Sequence, residues 1–137
     1  MLVGVGVAAF VDETVFHQLL HWHHFYDKST LEVGLVSDGL FHALGFIATV
    51  AGVFLLADLR RRQGLRWDRW TGGLLIGAGG FQLYDGLVQH KLMGLHQIRY
   101  HVDLTPYDVS WNAGAAMMII VGVALTARSR AGSAGGG

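Results

Sequence analysis

Apolar residues run almost unbroken through four stretches, roughly Leu2–Trp22, Val36–Leu59, Thr71–Met93 and Tyr107–Ala127. Each is about 20 residues, which at about 1.5 Å rise per residue crosses a hydrocarbon core of about 30 Å. The pattern predicts four membrane-spanning helices. Thr105 as N-cap and Pro106 at the first helical position would start the fourth. Asp68 or Thr71 would cap the third. Polar residues inside these runs recur in order. DETVFHQLLHWHH (12–24) is echoed by DGLVQHKLMGLH (85–96), so that Asp12, His17 and His23 share their spacing with Asp85, His90 and His96.

Composition agrees with the apolar runs. The 137 residues are 52% hydrophobic and 15% charged, with a mean hydropathy of +0.39, too apolar for an ordinary soluble domain of this size. A zero formal charge gives no nucleic-acid signal, and the absence of cysteine excludes disulfides, thiolate metal sites and thiol catalysis. Met1–Phe10 has neither a preceding basic residue nor a small-residue cleavage site after it, so it reads as half of a retained span, not a cleaved leader.

Basic residues set the orientation. Arg60, Arg61, Arg62, Arg66 and Arg69 crowd the link between spans two and three, and Arg128 and Arg130 follow span four. Lys28, Lys91 and Arg99 lie on the other side. The bias places the arginine loop and both termini in the cytoplasm of a bacterial plasma membrane. All eight histidines then fall in the outer half. The expected architecture is all-α: a four-helix transmembrane bundle built from two tandem two-helix repeats. Residues 1–128 form one four-span domain, with repeat one at about 5–59 and repeat two at about 78–127, and residues 129–137 form a disordered tail. Asp38 and His42 match Asp108 and Asn112 across the repeats, and a pseudo-two-fold axis along the membrane normal would bring span one to face span three.

GFQLYDGLVQHKLMGLHQIRY, followed by Tyr107, Asp108, Trp111 and Asn112, resembles a bacterial family of short four-span proteins described only as predicted membrane proteins of unknown function, DUF2243. VDETVFHQLLHWHH and SDGLFH resemble that family's first half, and the likeness covers Phe10 to Asn112. Glu13 departs from it, standing where Gly86 suggests glycine. The resemblance implies a four-span fold and no established activity. The family's association with respiratory oxidase assembly proteins implies copper handling and partners of that kind.

The residues point to metal chemistry on their own. On a regular α-helix Glu13, His17, His21 and His24 fall within an arc of about 80°, and imidazoles one turn apart can share an ion. Midspan carboxylates are costly unless they face the interior with a partner. The expected ligands are His17, His21, His42 and His90. Asp12, Glu13, Asp38, Asp85, Asp108 and Asn112 would support them or relay protons. His23, His24, His96 and His101 would form an outer site or access path. Nitrogen ligation without thiolate suits copper first and zinc next. Met93, Met117 and Met118 would add soft ligands if they faced the site.

The alternatives are a bis-histidine haem between His17 and His90, with Gly79, Gly80 and Gly114 making room, and a cofactor-free proton or transport component working as a homo-oligomer. HxxxHxHH (17–24) superficially resembles the histidine boxes of membrane diiron oxygenases, but chain length and orientation argue against that class. No nucleophile or phosphate-binding motif is present. Ser37 and Ser110 lack a triad, so the sequence leaves enzymatic activity open.

Overall fold

The computed structural model describes the backbone of residues 1–134 and the side chains of residues 1–129. It is all-helical, with no strand among the described residues. α1 (Leu2–Asp12) runs without a break into a π-helical segment, Glu13–Leu19. α2 spans Leu31–Arg61, and the Thr30 hydroxyl before it accepts from the Val33 N–H at 3.5 Å. α3 (Trp67–Tyr84) also turns π-helical, over Asp85–Leu92. α4 spans Thr105–Ala134, and the Asp103 carboxylate accepts from the Thr105 N–H at 3.0 Å. α4 therefore continues through the first part of the expected tail, and residues 135–137 lie outside the described residues.

Among the described residues, three helices are long and apolar enough to cross a membrane: Leu2–Leu19, Leu31–Arg61 and Thr105–Ser129. The 31 residues of α2 reach about 46 Å, more than a hydrocarbon core needs. α3 and its extension are not in that group, because Asp68, Arg69, Gln82, Asp85, Gln89, His90 and Lys91 dilute their apolar character. Span one also ends sooner than the hydrophobic run suggests, at Leu19 instead of Trp22.

α1 and α3 form the central pair, with α2 packed along α1 and α4 packed along α3. The profile of a soluble protein is inverted. Asp12, Glu13, His17, His23, Asp38, Asp85, Gln89, His90 and His96 are buried, against only Ala9, Phe41, Ile98 and Ala115 among the apolar side chains of the described residues. Large apolar residues along the outer helices face out, among them Leu40, Leu44, Ile47, Phe54, Met117 and Ile120. Such a surface is stable in lipid, where apolar side chains meet apolar surroundings and every buried polar group must find a partner inside.

Small residues let the helices approach closely. A Cβ on Gly4 would meet the backbone of Leu74 and Ala78, and Gly72 and Gly122 face each other between α3 and α4. Backbone cannot move aside as a flexible side chain can. We expect Gly4→Ala to destabilise the protein by about 1–3 kcal/mol, the usual cost of overpacking, whereas Gly39→Ala, which meets open space, is tolerated. Thermal unfolding of both variants in detergent checks the contrast, and equal behaviour would refute close α1–α3 packing.

Candidate metal centre

Apart from Ser129, the buried polar residues gather at the end of the molecule opposite the arginine loop. They come from the π-helical ends of α1 and α3, from the N-terminal part of α2 and from the two loops that cross over them. A π-helix has wider turns than an α-helix and commonly marks a functional site. Here each segment begins at or beside an aspartate of the shared pattern, at Glu13 after Asp12 and at Asp85 itself.

The same backbone path recurs 73 residues on. Leu20 N–H bonds Val15 O at 2.9 Å, and Met93 N–H bonds Val88 O at 2.7 Å. Trp22 N–H bonds Phe16 O, and Leu95 N–H bonds Gln89 O, both at 2.9 Å. The chain then reverses through a left-handed residue, His21 (φ 50°) in one case and Gly94 (φ 57°) in the other. His21 holds this conformation despite its Cβ, an uncommon state for a residue other than glycine. The reversal turns His23 and His96 back into the interior.

Those two histidines lock the loops together. His23 Nδ1 donates to Ile98 O at 2.9 Å, and His96 Nδ1 donates to Phe25 O at 2.8 Å. A carbonyl only accepts, so each Nδ1 carries the proton and each Nε2 presents a lone pair. Both Nε2 atoms are buried without a hydrogen-bond partner among the described residues. Asp27 N–H to Leu95 O (3.2 Å) and Lys28 Nζ to Met93 O (3.2 Å) add to the loop contact. Burial, reinforced by neighbouring imidazoles, pushes the pKa of His23 down to about 2. Burial likewise pushes His96 down to about 4, against the opposing pull of Asp85. Both rings are therefore neutral at pH 7 and available as ligands.

Four rings form a row. His17 and His23 have centroids 4.4 Å apart at 68°, and His90 and His96 4.6 Å apart at 73°. Between the pairs, His23 and His96 stack at 4.5 Å and 5°. The cross distances His17–His96 and His23–His90 are both 6.1 Å. The carboxylates flank the row. Asp12 Oδ2 is 3.8 Å from His17 Nε2, Asp85 Oδ2 is 2.9 Å from His90 Nε2, and Asp85 Oδ1 is 3.7 Å from His96 Nε2. His17 Nδ1 faces Glu13 Oε2 at 2.8 Å and Asp38 Oδ1 at 3.0 Å. Asp38 also accepts from His24 Nδ1 (2.6 Å) and Phe25 N–H (2.7 Å). Gln18 donates to Glu13 at 2.8 Å.

Among the described residues, three buried groups bring one ligand atom from each member within 4.8 Å of the others: His23, His90 and His96; Asp12, His17 and His23; and Glu13, His17 and Asp38. The structure thus gathers Asp12, Glu13, His17, His23, Asp38, Asp85, His90 and His96 in one interior cluster. His21 and His42 lie outside these groups. His21 is exposed and shares a surface pocket of about 350 Å³ with His101. His42 packs on Phe10, 4.9 Å between centroids, and lines a groove of about 420 Å³ that reaches Glu13. His24 is part-exposed at the edge of the cluster.

Asp108 pairs with Lys91, and Asn112 packs against Gly86 and donates to Asp108 O at 2.8 Å. Gln89 is buried beside His90 with its Oε1 unpartnered among the described residues, and no ligand spacing in the sequence singles it out. Met93 and Met117 are exposed and offer the cluster no sulfur. A cavity of about 500 Å³ is an apolar groove lined by Phe16, Trp22, Tyr107 and Trp111, and no histidine of the row lines it.

A family model described as "Predicted membrane protein (DUF2243)" matches residues 1–129. The chain matches no curated protein and no solved structure.

Proposed function

We propose that this chain, which belongs to the DUF2243 family of predicted membrane proteins, binds a transition-metal ion at its buried His/Asp centre. The observation that carries the reading is the pair of bare, buried Nε2 atoms on His23 and His96. Both rings have their other nitrogen tied to a carbonyl, the arrangement by which a protein fixes the tautomer of a metal-binding histidine. A buried nitrogen lone pair with nothing to accept is costly, and an ion relieves that cost.

The donor set is nitrogen and carboxylate oxygen, which favours copper(II), with zinc next. An imidazole row packed at 4.4–4.6 Å leaves no slot for a porphyrin between those rings, which argues for an ion over haem. In this reading α3 crosses the membrane with the other three helices, its polar face spent on the centre. The recurrence of contacts 73 residues apart supports two tandem helix pairs. The arginine-rich link lies in the cytoplasm with both termini, and the centre lies near the outer face of the plasma membrane. Metal handling, including supply to a respiratory oxidase during its assembly, is the role this placement suits.

Elemental analysis and an absorption spectrum of untagged, detergent-purified protein test the reading. Stoichiometric copper or zinc without a Soret band is the expected result. A Soret band would move the centre to haem. No metal after reconstitution with either ion would leave the buried carboxylates as a proton or transport path and end the metal reading.

A further inference from the structure

We propose that the centre holds two ions side by side, one for each half of the chain. The inference rests on the metal-binding reading above and adds its stoichiometry and ligand sets. Asp12, His17 and His23 would hold the first ion, and Asp85, His90 and His96 the second.

Ring geometry separates the two sets. A metal binds imidazole in the ring plane, along the nitrogen lone pair. His17 and His23 have planes crossing at 68°, and His90 and His96 at 73°, so one point can lie in both planes of either pair. His23 and His96 stack at 5°. Stacked parallel planes share no point, so these two rings do not both bind one ion in-plane. A single ion held by His23, His90 and His96, whose ligand atoms also lie close together, would leave one of the stacked rings badly aimed.

The carboxylates follow the same division. Asp85 directs one oxygen to His90 Nε2 at 2.9 Å and the other to His96 Nε2 at 3.7 Å. Asp12 stands 3.8 Å from His17 Nε2, and its ligand atom lies within 4.8 Å of those of both His17 and His23. Charge gives an independent reason. Asp12, Glu13, Asp38 and Asp85 are all buried, and no lysine or arginine is buried with them among the described residues. A divalent cation beside each of Asp12 and Asp85 would offset the cost of burying its carboxylate.

The first half is the richer one. Glu13 and Asp38 both face His17 Nδ1, whereas His90 Nδ1 is unpartnered among the described residues and glycine stands at 86. A carboxylate on the outer imidazole nitrogen raises ligand basicity. The first site should therefore bind more tightly, and filling should be stepwise.

The test is zinc titration of the full, untagged, metal-stripped chain in detergent, with bound zinc counted after desalting. Wild type should hold two zinc ions per chain, and Asp12→Asn and Asp85→Asn one each. One ion in wild type, lost with either substitution, would overturn the two-ion inference and leave the metal-binding reading standing. No zinc or copper in wild type would overturn both. Circular dichroism checks that the isosteric variants fold. A measurement that needs no variant is electron paramagnetic resonance of wild type loaded to saturation with copper(II). A spin-coupled pair with a half-field transition is expected, and isolated-ion spectra at full loading would overturn the proposal.

Discussion

A chain carrying His23→Ala and His96→Ala together is expected to lose its bound metal and the closure of its outer end at once. These rings supply two of the bare nitrogens in the row and the two hydrogen bonds that hold each loop to the other. Loss of an outer partner to a ligand typically costs 10–100-fold in metal affinity, and loss of the ligands themselves costs more. Binding should fall by well over about 100-fold on that scale. Ile98 O and Phe25 O would lose their donors, at about 1–3 kcal/mol for each that stays buried. The measurement is metal affinity by competition with a chromophoric chelator, paired with hydrogen exchange over residues 20–30 and 93–104. Faster exchange confined to those loops is the expected companion of metal loss. His21→Ala with His101→Ala, both exposed, is the control and should change neither. Full metal content in the His23/His96 variant would show that the ion sits elsewhere.

The apolar runs made the helices legible because lipid demands unbroken hydrophobic surface, and the shared spacing of Asp12, His17 and His23 with Asp85, His90 and His96 pointed to the residues that gather in the interior. What the pattern could not carry was helical phase. A regular wheel puts Glu13, His17, His21 and His24 on one arc, but the helix widens to π at Glu13 and ends at Leu19. His21 then takes a left-handed conformation and points outward, while His23 turns in. No hydrophobic periodicity announces that change. The bond from His23 to Ile98 spans 75 residues and depends on how the two loops cross, which local spacing does not encode. His42 shows the converse. It lies four residues after Asp38 on α2, yet it packs on Phe10, and only Asp38 reaches the cluster. The third apolar run, Thr71–Met93, departs from the other three for a related reason. The polar side chains that lower the hydropathy of α3 and its π-helical extension include Asp85, Gln89 and His90, which are buried.

Asp38→Ala is expected to weaken metal binding by about 10–100-fold although Asp38 belongs to neither proposed ligand set. Its carboxylate joins three elements. It accepts from His17 Nδ1 on the π-helical end of α1, and from His24 Nδ1 and the Phe25 N–H in the following loop, while itself anchored on α2. With the side chain gone, His17 keeps Glu13 as a partner, so its tautomer survives and its orientation loosens. The Phe25 N–H has no such reserve. Removing one member of a buried charged network costs about 3–5 kcal/mol, because the remaining groups stay desolvated without their partner. Asp38→Asn should fall between wild type and alanine, since an amide keeps one accepting oxygen and loses the other. Stability from thermal unfolding and affinity from chelator competition should decline in the order wild type, Asn, Ala. Glu13→Gln separates the two carboxylates on His17. It should lower affinity with little loss of stability, because Glu13 bonds to His17 and Gln18 on its own π-helical segment, whereas Asp38 ties down the following loop. If Asp38→Ala left affinity unchanged while destabilising the fold, Asp38 would be a structural anchor alone, and the basicity of His17 would rest on Glu13.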